Sequence, residues 1–288
     1  MKATLIVNHF ADGAYFEEIY RLISESAARA GIALSLKSSA ELMGDECSAP
    51  PAPDFALFWD KDIHLARRLE RGGWRLFNSA RTVELCDNKA LTAEALAKAS
   101  VPMPKTVVAP MTFYNVGYNK TDFVKNACQI LGLPVIIKEL YGSLGAQVYL
   151  ARTEEEAITT IKRIGARPFL FQEMIEDSYG VDIRVNVVGG KACASMLRRG
   201  KDGDFRSNIG NGGCGEAVTL SAEEERVALF AADAVGADFA GVDILIKKDG
   251  TPLVCEVNSN PHFTGTLRYL GVNLADLIFE HIRRKIEL

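Results

Sequence analysis

Residues 240–261, with the sequence AGVDILIKKDGTPLVCEVNSNP, contain the most informative pattern in this chain. Two strand-forming runs, Val242–Lys247 and Pro252–Val257, flank Asp249-Gly250, and Asp-Gly between such runs is among the strongest hairpin signals. Both runs are apolar on both faces, so we expect the two strands to be buried. The sequence therefore predicts a buried β-hairpin with Asp249-Gly250 as a two-residue turn.

This turn would place two acids opposite each other. Asp243 then faces Glu256 with Cβ atoms roughly 4.5–5.5 Å apart, and Asn258 follows Glu256 on the same face. Buried carboxylates at that distance repel each other and are costly unless a cation lies between them. Two carboxylates and an amide carbonyl form a hard-oxygen set suited to Mg²⁺. A metal site is therefore favoured over a hairpin that merely carries solvated acids.

The composition is that of an ordinary globular protein, with 48% hydrophobic and 24% charged residues in a chain of 288. This length favours two or three compact units. The net charge of −4 argues against a general nucleic-acid binder, and no apolar run approaches the ~20 residues needed to cross a membrane. The first residues resemble a short strand rather than a signal peptide. Six scattered cysteines indicate reduced thiols in a cytoplasmic protein without a zinc site.

Residues 1–88 alternate predicted strands and helices, which indicates a small parallel α/β layer. No Gly-x-Gly-x-x-Gly follows the first strand, so a dinucleotide site is not predicted. The predicted strands are Thr4–Val7, Ile32–Lys37, Phe55–Trp59 and Trp74–Phe77, and the predicted helices are Glu17–Ala30 and His64–Arg71.

Two mixed units follow, so the predicted fold class is α/β with α+β parts. Residues 173–288 are rich in hairpins, with a further turn at Gly189-Gly190 and helices at Ala222–Val235 and Leu274–Ile286. Residues 89–172 have predicted helices at Ala90–Ala99, Asp122–Leu131 and Thr153–Ile164, and predicted strands at Thr106–Ala109, Val135–Lys138, Gln147–Leu150 and Phe169–Gln172.

Lysines and glycines of the middle unit are candidates for phosphate binding. Lys138 ends an apolar strand and is followed by Gly142-Ser143-x-Gly145, where small residues let backbone N–H groups approach phosphate oxygens. Taken alone, a simple glycine turn is the commoner explanation. Lys89 is, by itself, no better a candidate than a surface lysine.

Two segments further along admit two interpretations each. Glu173, Met174 and Ile175 could present backbone groups to an adenine ring, although without context plain core is preferred. Asp182 and Arg184 share one face of a strand. They form either a salt-bridged pair or a site in which the Asp182 carboxylate accepts hydrogen bonds from ribose hydroxyls.

The segment from Arg198 to Arg206 has four cations beside a glycine-rich stretch. One interpretation is a solvated basic loop. The other is a clamp in which forked guanidinium groups bind phosphate or carboxylate bidentately. If the chain is extended there, Arg206 and Asn208 lie on one face.

Together these motifs resemble those of the ATP-grasp ligases, and more narrowly the RimK-like alpha-L-glutamate ligase group. The resemblance covers roughly Lys89 to the C-terminus, and Gly271–Ala275 also fits this branch. The residues that carry it are Lys138, Gly142-Ser143-x-Gly145, Gln172-Glu173, Asp182-Ile183-Arg184, Gly203–Asn208, Ala240–Asp243 and Glu256–Asn258.

The resemblance implies an ATP-grasp fold with a pre-ATP-grasp domain at 1–88, a central subdomain at 89–172 and a C-terminal subdomain at 173–288. It implies two Mg²⁺ ions, with Mn²⁺ as an alternative, held by Asp243, Glu256 and Asn258. Arg206, Arg184 and Lys138 would act in catalysis. ATP would be bound by Lys89, Lys138, Gly142, Ser143, Gly145, Glu173, Met174, Asp182, Arg206, Ser207 and Asn208.

The implied activity is ATP-dependent amide formation through an acyl phosphate, joining glutamate or a related amino acid to a small-molecule or peptide carboxylate acceptor. Nucleic acid and membrane are not expected partners, and homo-oligomer formation stays open. The alternatives are an ATP-grasp phosphotransferase and a non-catalytic ATP-binding regulatory protein. One departure concerns His262-Phe263, which stand where the family has a glycine, and this leaves the identity of the substrates open.

Overall fold

Three β-sheets organise the molecule, and each comes from a different part of the chain. The structure is a computed structural model that describes residues 1–45, 47–143, 145–207, 209 and 212–287. No helix in this described part is long and apolar enough to cross a bilayer.

The N-terminal sheet is parallel, as predicted, and its strand order is β2-β1-β3-β4. Helix α1 packs on one face and α2 on the other, which explains why the strand at 55–59 is buried throughout. Helix α3 was not predicted, although Ser79 caps its first turn by accepting a hydrogen bond from the Thr82 N–H. The elements are β1 (Lys2–Val7), α1 (Ala14–Arg29), β2 (Ala33–Ser38), β3 (Phe55–Trp59), α2 (Ile63–Arg71), β4 (Leu76–Phe77) and α3 (Ala80–Asp87).

The central sheet is antiparallel, with the order β5-β8-β6-β7. Helices α5 and α6 cover one face through a core that includes Val124, Ile161 and Phe171. Helix α6 begins after Thr153, whose hydroxyl accepts a hydrogen bond from the Glu156 N–H. The elements are α4 (Lys89–Lys98), β5 (Thr106–Val108), α5 (Asp122–Leu131), β6 (Val135–Glu139), β7 (Val148–Ala151), α6 (Glu154–Ile164) and β8 (Phe169–Glu173).

The C-terminal sheet is also antiparallel, with the order β11-β10-β9-β12-β13. Helix α7 packs on one face, and α3 and α4 contribute Cys86 and Leu96 to the same core. The two short elements β11 and α8 were not predicted. The elements are β9 (Val181–Val188), β10 (Lys191–Arg199), β11 (Cys214–Ala217), α7 (Ala222–Ala234), β12 (Phe239–Ile246), β13 (Pro252–Asn258), α8 (Thr264–Leu270) and α9 (Leu274–Glu287).

The hairpin between β12 and β13 confirms the predicted pairing but not the predicted turn. The Lys247 N–H donates to the Thr251 carbonyl at 3.0 Å, so residues 248–250 form a three-residue loop, with Gly250 at a φ of +85°. Cys255 is an extra residue in β13, a β-bulge that shifts the register by one. The two changes cancel, so Asp243 lies opposite Glu256. The two-residue turn was therefore wrong, and the pair of acids that it predicted is confirmed.

Helix α9 joins the last part of the chain to the first. Its apolar face packs against α1, with Leu274, Ile278 and Phe279 in one core with Ile19 and Leu22. A second link involves the fully buried Asn78, which donates to the carbonyls of Phe239 and Ser259. These contacts fix the loop after β13 against the carboxyl end of the N-terminal sheet.

Candidate functional site

One cavity of about 660 Å³ lies where the three sheets meet. The N-terminal domain contributes residues such as Tyr15 and Lys61 to its wall, and the central sheet contributes Lys138. The predicted site residues that line it are Lys138, Gly142, Ser143, Gly145, Glu173, Met174, Asp182, Arg184, Arg206, Ser207, Asp243, Glu256 and Asn258. Asn208 lies outside the described residues.

Lys138 is a buried cation at the end of β6. Its Nζ lies 3.3 Å from the Cys255 Sγ, which the bulge in β13 brings into the cavity wall. Burial on its own would lower the pKa of Lys138, but the Cys255 sulfur, Glu256 and Asp243 outweigh it and hold the pKa above its ordinary value. Lys138 therefore presents a fixed positive charge to the cavity.

Lys89 stands next to Lys138, just outside the wall of the main cavity. The two lysines line an adjoining crevice together with Glu256. The Lys89 Nζ donates to the Gly142 carbonyl at 3.2 Å and lies 3.7 Å from a Glu256 oxygen. Burial, together with the nearby Lys138 and Lys61, lowers the pKa of Lys89. The first turn of α4 thus places a second cation behind the glycine loop.

Two arginines and two acids form a buried ion cluster on the neighbouring strands β9, β10 and β12. Arg184 and Asp243 pair through two hydrogen bonds, one of them 2.8 Å long. Arg198 bridges both acids, with its Nε 2.7 Å from Asp182 and an Nη 2.9 Å from Asp243. Ser207 donates to the other Asp182 oxygen at 2.5 Å. The suggested Asp182–Arg184 pair is therefore wrong, since each residue has a different partner.

The two acids of the cluster differ in their titration. Burial opposes ionisation of Asp243, but Arg184 and Arg198 overcome it and lower the pKa of Asp243 below its ordinary value. Burial raises the pKa of Asp182, which has the hydrogen bonds of one arginine only. Asp243 is consequently the acid whose ionised form the cluster favours more strongly.

The acids of the β12–β13 hairpin are thus paired with cations of the chain itself. Asp243 contacts two arginines, and Glu256 lies near Lys89. Neither carboxylate is unpaired, so their position in the sheet does not by itself require a metal ion. The donor set itself still fits Mg²⁺, because two carboxylates and the Asn258 amide line one wall of one cavity. A bound ion would contact the Asp243 carboxylate alongside Arg184 and Arg198.

Two loops meet above this wall. Gly142 has a φ of +148°, and an added Cβ there would lie 2.3 Å from the Gln147 Oε1, which explains the glycine. The half-buried Arg206 donates to the Gly145 carbonyl at 2.9 Å and pairs with Asp204 through two further hydrogen bonds. The basic segment therefore folds over the glycine loop of the central sheet.

The remaining wall beside Lys138 is largely apolar. Ile136, Val148 and Leu245 line it together with Met174 and Ile175, at the point where β8 leaves the central sheet. An apolar slot of this kind beside exposed backbone is suited to a flat aromatic ring. This placement agrees with the predicted adenine segment without testing it.

The opposite end of the cavity is formed by α1, the loop after β13 and α8. Its residues are Tyr15, Glu18, Asn260, His262, Thr264, Gly265, Arg268 and Tyr269. His262 stacks on Tyr15 with ring centroids 5.0 Å apart. The Nδ1 atom of His262 is buried and has no hydrogen-bond partner. This end therefore combines aromatic rings with hydrogen-bonding groups.

Several of these residues were missed in the sequence. Arg198 was visible only as one cation of a basic segment, and Cys255 only as a thiol. Lys61 follows the parallel strand β3, and side chains at the carboxyl ends of parallel strands commonly reach ligands, which was the one usable signal. Tyr15 and Arg268 had no signal at all.

Comparisons with known proteins agree with this architecture. The sequence profile of the RimK-like ATP-grasp domain matches residues 86–282. Human N-acetylaspartylglutamate synthase A is 35% identical over 223 residues, 77% of this chain. A protein of Shewanella baltica named as a probable alpha-L-glutamate ligase 1 is 34% identical over 249 residues, 85% of this chain.

The lengths of these relatives differ. The chain spans about half the length of the first curated relatives that it matches, 56% of the human protein, and 79% of the Shewanella protein. A solved RimK domain ATP-grasp protein from Sphaerobacter thermophilus superposes with a TM-score of 0.75 at 24% identity, covering 98% of this chain and 99% of that one. The predicted ATP-grasp fold is therefore confirmed. On the profile match and on both relatives, the chain belongs to the RimK-like ATP-grasp family.

Proposed function

We propose that this chain is an ATP-dependent carboxylate–amine ligase that forms an amide bond through an acyl phosphate. The observation that carries the proposal is one cavity, lined by the buried Lys138 and several acids at one end and by aromatic and hydrogen-bonding residues at the other. Such a cavity can hold a nucleotide and an organic substrate side by side. The names of the relatives, a glutamate ligase and a synthase, support this function.

The nucleotide end suits ATP as one substrate. The apolar slot at Met174 and Ile175 takes the adenine, with Glu173 beside it. Lys138 and Lys89 neutralise phosphate charge, and Gly142, Ser143 and Gly145 line the cavity, where their backbone N–H groups would contact phosphate oxygens. Asp182 remains the proposed ribose contact, although Arg198 and Ser207 already occupy its carboxylate.

Asp243, Glu256 and Asn258 would hold the two proposed Mg²⁺ ions, which when bound neutralise charge on the transferring phosphoryl group. Mn²⁺ remains an alternative ion. In the chain itself, Arg184 and Arg198 keep Asp243 ionised and in place. Arg206 places a further cation over the same region from the loop above.

The proposed reaction has two steps. The acceptor carboxylate attacks the γ-phosphate of ATP, which gives an acyl phosphate and ADP. An amine then attacks the acyl carbon, the C–O bond to phosphate breaks, the amine loses a proton, and phosphate leaves. Free carboxylate is a poor electrophile at neutral pH, so the first step supplies the leaving group. Lys138 and Arg206 stabilise the developing phosphoryl charge, and Arg184 the oxyanion.

The finer assignments are also proposals. Glutamate or a related amino acid supplies the amine, and a small molecule or peptide supplies the carboxylate. The division at residues 88 and 172 is supported by the presence of one sheet in each part. All six cysteines are free thiols, which supports a cytoplasmic location.

The test is to measure ADP release by the purified chain with ATP, Mg²⁺, L-glutamate and a panel of carboxylates. The proposal expects ADP release to require both a carboxylate and an amine. Hydroxylamine in place of the amine should trap the acyl phosphate as a hydroxamate, detected by mass spectrometry. ADP release with an alcohol alone, and a phosphorylated alcohol as product, would instead identify a phosphotransferase.

Replacing Glu256 with Gln should raise the Mg²⁺ concentration that supports half-maximal ADP release by about tenfold or more. The substitution keeps the side-chain shape and removes the charge that attracts a divalent cation. The matched control is Glu25→Gln, which changes an exposed acid of α1 that pairs with Arg21. Undiminished turnover of the Glu256 variant at limiting Mg²⁺ would refute the metal role.

A further inference from the structure

His262 and Asn260 each have one buried polar atom without a hydrogen-bond partner at the end of the cavity away from Lys138, and His262 is the one held by aromatic rings. It follows β13 by four residues, in the loop that Asn78 fixes by its bond to the Ser259 carbonyl. Its ring stacks on Tyr15 at an interplanar angle of 28° and meets Phe16 edge-on. The ring is thus held between the N-terminal domain and the cavity.

The Nδ1 atom of this ring is buried without a hydrogen-bond partner. A buried polar atom in that state is costly, and native structures usually satisfy it with a protein group or with something that is bound. His262 lines the cavity. Because the aromatic neighbours Tyr15 and Phe16 offer the ring only stacking and edge contacts, the missing partner is best supplied from the cavity.

The surroundings favour an anion as that partner. Arg184 and Lys61 both act on His262, and with burial as the largest cause they lower its pKa to about 4, so the ring is neutral at pH 7. Arg268 lines the same cavity, and among the described residues no acid forms an ion pair with its guanidinium. Glu18 of α1 is the acid that lines this same end of the cavity. A neutral imidazole can donate its N–H to a substrate carboxylate. The nearby cations favour a partner with a negative charge.

We propose that His262, through Nδ1–H, together with Arg268, binds a substrate carboxylate other than the one that ATP activates. The proposal rests on the proposed ligase function, since it names a specificity contact of that reaction. It predicts substrates with at least two acidic groups in total, on the acceptor, on the amino-acid donor or on both. His262 is accordingly a specificity residue rather than a residue of the phosphoryl transfer.

The experiment removes the carboxylate and the histidine nitrogen separately and together. The probes are L-glutamate with its two monoamides, and N-acetyl-L-aspartate with its two monoamides. Binding of each probe is measured by calorimetry in the presence of a non-hydrolysable ATP analogue and Mg²⁺. His262→Phe keeps a ring for Tyr15 and loses Nδ1, whereas His262→Asn keeps a nitrogen near the same position. His64→Phe is the control, because His64 is exposed on α2.

The wild-type chain should bind one monoamide about tenfold or more weakly than its parent acid. This difference in affinity between acid and monoamide should disappear in His262→Phe, remain in part in His262→Asn and be unchanged in His64→Phe. If the difference disappears for glutamate and its monoamides, the amino-acid donor provides the carboxylate. If it disappears for N-acetylaspartate and its monoamides, the acceptor provides it. Affinity for the ATP analogue should be the same in all variants.

Two results would overturn the proposal. The first is a loss of affinity from parent acid to monoamide that is equal in the wild type and in His262→Phe. The second is a wild-type chain that binds none of the six probes. Amine-dependent ADP release, measured on the same samples, separates this outcome from the fate of the proposed function. If the difference disappears in His262→Phe without ADP release, the carboxylate contact stands and the ligase assignment fails. If ADP release appears and the difference persists in that variant, the ligase stands and His262 has no such role.

Discussion

Lys138→Met should lower kcat/KM for ATP by about a hundredfold to a thousandfold, the usual cost of removing one preorganised charge that stabilises a transition state. The Lys138 Nζ is buried at the centre of the cavity wall, near Cys255, Glu256 and Asp243. Methionine has a similar length and is apolar, so the fold should tolerate it. Steady-state kinetics with varied ATP give the effect.

The matched control for this substitution is Lys125→Met. Lys125 is exposed on α5 and is not among the residues that line the cavity. It should leave kcat/KM unchanged within about twofold, because an isolated surface charge is screened by solvent. If Lys138→Met retains more than a tenth of the wild-type kcat/KM, Lys138 is a structural cation and not a phosphate contact.

Arg198→Met should have the largest effect on stability, a loss of about 3–5 kcal/mol in the free energy of unfolding. The Arg198 side chain is 12% exposed and bridges the carboxylates of Asp182 and Asp243. Its removal leaves Asp182 buried with only the Ser207 hydroxyl, while Asp243 keeps Arg184. Urea denaturation followed by circular dichroism measures the loss.

The neighbouring Arg199 provides the control for Arg198. Arg199 is on the same strand, half exposed, and pairs with Glu216 at 3.4 Å on the surface. Arg199→Met should therefore cost less than about 1 kcal/mol. Adding Asp182→Asn to Arg198→Met should recover part of the stability, because it removes the stranded charge. Equal losses for the two arginine variants would contradict the importance of the buried cluster.

The sequence was sufficient for the pairing of the acids because two irregularities cancel. The three-residue loop at 248–250 and the bulge at Cys255 each shift the β12–β13 register by one, in opposite directions. Within the described residues 181–199, the β9–β10 hairpin has a bulge at Cys193 and no second register shift that would cancel it. A plain two-residue turn at Gly189-Gly190 puts Arg198 opposite Val181, whereas the bulge puts it opposite Asp182. Bulges have no reliable residue signature, so this ion pair could not be predicted.

The substrate end was harder to predict than the nucleotide end for a different reason. The residues near Lys138 come from motifs with a fixed local spacing, such as the glycine loop and the hairpin. Tyr15 and Lys61 come from the N-terminal domain, in α1 and after β3, and His262 comes from a loop more than 200 residues later. Their proximity depends on how the N-terminal domain packs against the rest. Local periodicity contains no information about such packing.

The packing of α9 against α1 has a practical consequence for anyone who wishes to shorten this protein. The segment recognised by the family profile begins at residue 86, which leaves out the whole N-terminal sheet. A fragment trimmed to that boundary would expose Ile278, Phe279 and Ile282 to water, because their partners Ile19 and Ile23 would be gone. Such a fragment should aggregate when expressed alone. The homology boundary of this protein is therefore not a folding boundary.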